Sequence, residues 1–247
     1  RAIMLETGEL DVAYEISTVD YARINEGEDT TIVKSPAHNT NYIGMSCLFS
    51  PFDNATVRQA VAYAIDIPTC YQAAYGGVHE LATSIVDPEV EGYAPMDLPT
   101  YDPEKAKELL AEAGYPDGLS CKFYTNNDAE RIAFAEACQG YLAAVGIETE
   151  IVTMEMGAYS SIIDTNTLEG IFLLGATCTT VEAEKMLRNF YSESSGAMNT
   201  SGYRNSEFDA LLDEAVRTLD DEARWAIYKQ CFDILAEDMP WIPTYDK

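Results

Sequence analysis

The feature that most restricts this chain is its alternation of capped helical segments with short apolar strands. Tyr101-Asp102-Pro103-Glu104 starts a helix: Asp102 suits the cap, Pro103 the first helical position and Glu104 the positive end of the dipole. That helix stops at Gly114, a strand is expected over Leu119–Thr125, and a second helix near Asp128–Val145 ends at Gly146. An alternating strand over Ile147–Met154 follows, and a further short strand, Gly170–Gly175, precedes the turn Ala176-Thr177-Cys178-Thr179-Thr180. Helices are also expected at Thr56–Ile65 (capped by Asp53 or Asn54), Glu182–Tyr191, Glu207–Leu219 (capped by Ser206) and Asp221–Glu237. The proline- and glycine-rich stretch after Gly76-Gly77, with Pro88, Gly92, Pro95 and Pro99, reads as a surface loop wrapping the domain. The pattern is that of a mixed α/β (α+β) domain without internal repeats or long linkers.

Charge narrows the partners. With 15 Lys+Arg against 42 Asp+Glu the net charge is −27, which argues against nucleic acid or an anionic membrane surface. Six scattered cysteines form no Cys-x-x-Cys pair and no Cys/His cluster, so neither a zinc site nor a thioredoxin-type motif is expected. They read as small core hydrophobes, with one or two disulfides left open. His38 and His79 fall in predicted loops without metal-ligand spacing and read as solvated. No metal or other cofactor is expected. Neither Gly-x-Ser-x-Gly nor His-Glu-x-x-His occurs, nor a phosphate-binding glycine loop.

Five blocks carry a resemblance. Pro51-Phe52-Asp53-Asn54-Ala55-Thr56-Val57-Arg58-Gln59-Ala60, continuing to Ala64-Ile65-Asp66, is similar to the signature of the family 5 solute-binding proteins, substrate receptors of oligopeptide, dipeptide and nickel ABC importers. Tyr101–Gly118 resembles that family's second block, with Gly76-Gly77 at its Gly-Gly turn. Tyr203–Ala215 and Glu237–Tyr245 resemble its last two blocks, and Gly8–Ala13 the segment before the crossover between lobes. The resemblance implies one lobe of a type II periplasmic-binding-protein-like fold. Residues 1–50 would hold the crossover and hinge-side strands, 51–240 the second lobe, and 241–247 the start of the return strand to the first lobe. Both ends read as interrupted elements, so the expectation is a second lobe without its first.

The implied function is that of a non-enzymatic, extracytoplasmic receptor, lipid-anchored in its full form, that captures a small-molecule or peptide ligand between lobes and delivers it to ABC permease subunits. An acidic secreted hydrolase, or a sensor presenting its bound state to a membrane receptor, is the competing reading. Strand, turn and helix in that order put the Thr-rich turn at a strand's C-terminal end, where open α/β sheets bind ligands. Ala176, Thr177, Cys178, Thr179 and Thr180 are therefore candidate ligand contacts, with Tyr42, Ser46, Tyr159, Asn199 and Tyr203 as further polar or aromatic candidates. The aromatic and aspartate of peptide-binding relatives fall near Ala176 and Thr179, and their strand arginine near Leu173. None matches, so a neutral or modified ligand is expected. Arg58 is expected to pair with Asp53 or Asp66, and Trp225 and Trp241 to pack in the core or at the interface with the other lobe.

Overall fold

The helices begin where short polar side chains can accept the amides that a first turn leaves free. In the computed structural model, Asn54 Oδ1 accepts from Thr56 N at 2.9 Å, Asp102 Oδ1 from Lys105 N at 2.9 Å, Asp128 Oδ1 from Arg131 N at 2.9 Å and Asp220 Oδ1 from Ala223 N at 2.9 Å. The structure describes residues 1–14, 16–33, 37–194 and 198–246. Its helices are α1 (Ala2–Glu6), α2 (Tyr21–Glu26), α3 (Ala55–Ala64), α4 (Ile67–Tyr75), α5 (Pro103–Glu112), α6 (Ala129–Ala144), α7 (Met156–Asp164), α8 (Glu184–Leu187), α9 (Ser206–Arg217) and α10 (Asp221–Asp238). Its strands are β1 (Asn39–Met45), β2 (Glu80–Leu81), β3 (Leu119–Asn126), β4 (Ile147–Met154), β5 (Gly170–Thr177) and β6 (Trp241–Asp246).

The strands form one mixed six-stranded sheet in the order β2-β6-β1-β5-β3-β4. β3 runs parallel to β4 and β5, whereas β1 is antiparallel to both β5 and β6. Alternate residues of the central strands face opposite sides. Ile43, Ile171, Leu173 and Ile242 pack with α3, α4, α5 and α6 through Val57, Tyr71, Leu110 and Phe134. Tyr42, Phe172 and Trp241 enter the other core, with Tyr159 of α7, Leu187 of α8, Phe208 of α9 and Phe232 of α10. The result is three layers, helix–sheet–helix, consistent with the mixed α/β class read from the sequence.

Several local expectations are corrected. Ser206 does not cap α9: Asn205 does, its Oδ1 accepting from Glu207 N at 2.9 Å and Phe208 N at 3.2 Å. The helix expected at Glu182–Tyr191 reduces to α8 and a 3-10 turn at Arg188–Phe190, with Glu182 bridged to Glu91 instead. Glu91 N donates to Val181 O at 2.8 Å and Ala183 N to Glu91 O at 2.9 Å, and the helical bonding starts with Leu187 N donating to Ala183 O at 3.0 Å. The stretch after Gly77 does more than wrap the surface: Ile85, Val86, Val90 and Met96 are buried in the second core. Arg58 makes no ion pair with Asp53 or Asp66. It is buried, and donates from Nε to Asp238 O at 2.7 Å and from Nη1 to Phe52 O at 2.8 Å. Trp225 is exposed, while Trp241 is buried, stacked on Tyr42 at 3.5 Å, with Nε1 donating to Ser201 Oγ at 2.8 Å. No disulfide joins any of the six cysteines. No helix among the described residues is long and apolar enough to cross a membrane.

Candidate functional site

β3 and β5 end their parallel run beside the start of α6, and β1 begins and β6 ends at the same edge. A groove of about 1500 Å³ opens there. Asn39, Gly175 and Thr177 come from the strand ends, Asp128 and Arg131 from the start of α6, and Asp246 from β6. Tyr14, Tyr21 and Val33 of the N-terminal segment line it as well. This is the end of a parallel sheet at which α/β folds place ligands, because loops and helix N-termini converge there.

A polar network fixes the groove floor. Asn39 Nδ2 donates to Thr177 Oγ1 at 2.8 Å, and Asn41 Nδ2 to Asn39 Oδ1 at 2.9 Å. Arg131 donates from Nη2 to Asn41 Oδ1 at 3.1 Å and from Nη1 to Asn126 Oδ1 at 3.3 Å. These bonds hold a guanidinium across the strand ends while using only part of its five donors. Around it stand the carboxylates of Glu80, Asp87, Glu89, Asp128, Glu130 and Asp246. Asp246 accepts from Thr40 Oγ1 at 2.6 Å, yet burial, with the Asp87 charge nearby, pushes its carboxyl up to about 6.

The groove is therefore strongly charged. The turn itself supplies no charge, but acids reach the site from β2, the segment after it, α6 and β6. Their sequence positions share no local pattern. His38 lies in a loop with its side chain 38% exposed, as expected, but its Nδ1 is turned away from solvent. Its Nδ1 lies 3.5 Å from Asp87 Oδ1, and its donor atoms, those of Asp87 and those of Glu89 all fall within 4.8 Å of one another. His79 stacks on Tyr245 with ring centroids 5.5 Å apart.

The candidate contacts separate into two groups. Thr177 lines the groove, and Ala176 is half-buried beside it on β5. Cys178 is buried, its amide donating to His38 O at 2.8 Å, while Thr179 and Thr180 are exposed beyond the strand end. The others lie inside the domain. Tyr42 is buried with its hydroxyl 3.2 Å from Thr200 Oγ1, and burial raises its pKa. Tyr159 donates to Leu173 O at 2.6 Å, and Tyr203 to the Asp238 carboxylate. Asn199 is buried with Nδ2 donating to Tyr203 O at 2.8 Å and Oδ1 accepting from Tyr203 N at 3.0 Å. Ser46 is buried just past β1, its amide donating to Gly170 O at 3.0 Å.

The sequence profile of the bacterial extracellular solute-binding proteins, family 5, matches residues 1–198. The chain belongs to that family. It is 32% identical over 252 aligned residues to a glutathione-binding protein, GsiB, of Shigella dysenteriae serotype 1, covering 98% of this chain and 49% of that protein. The GsiB of Salmonella typhi is 33% identical over the same shares. The chain thus spans about half the length of the curated relatives it matches. The fold superposes on the periplasmic binding protein DppA of Helicobacter pylori, in complex with peptide STSA, with a TM-score of 0.92 at 25% identity, over 99% of this chain and 48% of that one. A dipeptide-binding protein of Pseudoalteromonas sp. SM9913, in complex with Met-Leu, gives a TM-score of 0.88 at 28% identity over 99% and 50%.

Proposed function

We propose that this chain forms the second lobe of an extracytoplasmic receptor for an ABC importer, and that the groove at the ends of β3 and β5 is its half of the ligand cleft. The observation that carries the reading is the coincidence of three features at one edge. The parallel strands end there, the chain enters β1 and leaves β6 there, and the groove is built there. A lobe joined to another through β1 and β6 would close over that groove, with bound solute shifting the open–closed balance.

The ligand class follows from charge. Carboxylates around a single held guanidinium suit a small zwitterion, whose ammonium meets an acid and whose carboxylate meets Arg131. A short or modified peptide has that chemistry, and the relatives' names, glutathione-binding and dipeptide-binding, support it. Thr177 is the Thr-rich-turn residue best placed to contact it. The role is capture and delivery to a permease, without turnover, at the outer side of the membrane, with a lipid anchor in the full protein.

The test is a thermal-shift and calorimetric screen of the two-lobed protein against glutathione, dipeptides, free amino acids, oligosaccharides and metal chelates. A ligand at 100 times its Kd adds about 2.7 kcal/mol to the folded state. Stabilisation by glutathione or a peptide, weakened by Arg131→Met, is the expected result. The isolated lobe binds far more weakly because half its contacts are missing. Stabilisation by sugars alone, or turnover of a bound peptide, sinks the reading.

A further inference from the structure

His38 sits immediately before β1 with a left-handed backbone, φ 46°, and its carbonyl accepts from Cys178 N at 2.8 Å. The His38 backbone is thereby tied to the end of β5. The ring Nδ1 is buried, has no hydrogen-bond partner and lies 3.5 Å from Asp87 Oδ1. Asp87 is itself held: its side chain is 9% exposed and its Oδ1 accepts from Glu89 N at 2.8 Å. Glu89, one residue beyond Pro88, is exposed and lines the groove with Asp87. An orphaned buried imidazole nitrogen and a buried carboxylate are each costly, and a cation shared between them relieves both costs.

We propose that His38, Asp87 and Glu89 form a binding site for a divalent transition-metal ion at the rim of the groove. One imidazole and two carboxylates are the donor set of zinc, cobalt or manganese, whereas calcium and magnesium favour oxygen alone. Bonds of about 2.0–2.2 Å put donors roughly 3–4.4 Å apart, and these donor atoms, all within 4.8 Å of one another, reach that range with at most a small movement of the exposed Glu89 side chain. Three protein ligands leave coordination positions open. The ion would tie the chain entering β1 to the segment after β2 and offset part of the acidity of the groove. No substrate assignment enters this argument, so the site stands or falls independently of the ligand class.

Metal-stripped, untagged 247-residue chain is dialysed against Co²⁺ or Zn²⁺ in millimolar Mg²⁺, which occupies diffuse acidic surface. About one equivalent is expected at micromolar affinity, with a cobalt spectrum of nitrogen and oxygen ligation. His38→Asn, which tolerates the left-handed backbone, and Glu89→Gln, which changes only an exposed side chain, each weaken binding at least about tenfold. Their metal-free melting temperatures stay at the parent value. Absence of stoichiometric binding in Mg²⁺, a thiolate-to-cobalt charge-transfer band, or unchanged affinity in both variants overturns the assignment.

Discussion

Replacing Arg58 with Met tests how the domain closes around the end of α10. Met keeps the bulk but removes two donors, leaving the Asp238 carbonyl at 2.7 Å and the Phe52 carbonyl at 2.8 Å without their partner. The first belongs to the last turn of α10, where carbonyls have no helical partner and the dipole is negative. A hydrogen bond from a charged donor is worth about 1.5–3 kcal/mol, so losing both costs about 3–6 kcal/mol. Arg58→Lys presents a point charge in place of a fork and recovers about half. Urea unfolding reads this directly: with a slope of about 3 kcal/mol/M, the midpoint falls by roughly 1–2 M at unchanged slope. Asp53→Ala is the control, because an exposed Asp53 unpaired with Arg58 moves stability by no more than about 0.5 kcal/mol. A loss below about 1 kcal/mol for Arg58→Met, or an equal loss for Asp53→Ala, refutes the assignment of Arg58 to the two carbonyls.

Asn205→Ala should lower stability by about 1 kcal/mol or more, since Asn205 caps α9 and also donates to Asp238 at 2.9 Å, while Ser206→Ala stays near neutral in the same melt. Gly44→Ala puts a Cβ 2.3 Å from the Phe172 ring across the β1–β5 pair, and overpacking of about 1–3 kcal/mol shows as a melting temperature roughly 2–12 °C lower. Asp246 gives a pH signature in chelator. Its folded-state value is raised from 3.8 to about 6, so the folded chain holds more protons in that window and stability falls as pH rises through it. Asp246→Asn should remove that fall, about 1–2 kcal/mol after allowance for partial solvent screening, measured as unfolding free energy at pH 4 and pH 7.

What could be read from the sequence was whatever is decided within a few residues. Asp102 caps the helix it was expected to cap, and Gly114 and Gly146 follow the ends of their helices at φ 95° and 89°. Where two neighbours could each cap, as with Asn205 and Ser206, the choice was made by a distant group: Asn205 also reaches Asp238. The shortened helix at α8 has the same origin, since Glu91 captures residues 181–183 from ninety positions away. The site was the least legible part. Tyrosine serves cores and clefts alike, and the hydroxyls of Tyr42, Tyr159 and Tyr203 found partners within the domain. The groove's acids instead come from Glu80, Asp87, Glu130 and Asp246, which only the sheet order brings to one edge. His38 and Asp87 are separated along the chain by two strands and a helix pair, so no spacing rule could join them.

The placement of β6 between β2 and β1 has a consequence in time. β1 is synthesised long before β6, one of its two neighbours, which lies 206 residues on at the Thr40–Asp246 contact. At about 5–20 residues per second, that flank of β1 waits roughly 10–40 s for its partner. During the wait Tyr42 has no Trp241 to stack on, and an unpaired backbone edge is presented to any other strand in reach. Translation speed through residues 46–240, or a chaperone that shields β1 meanwhile, would then govern yield more than the stability of the finished domain.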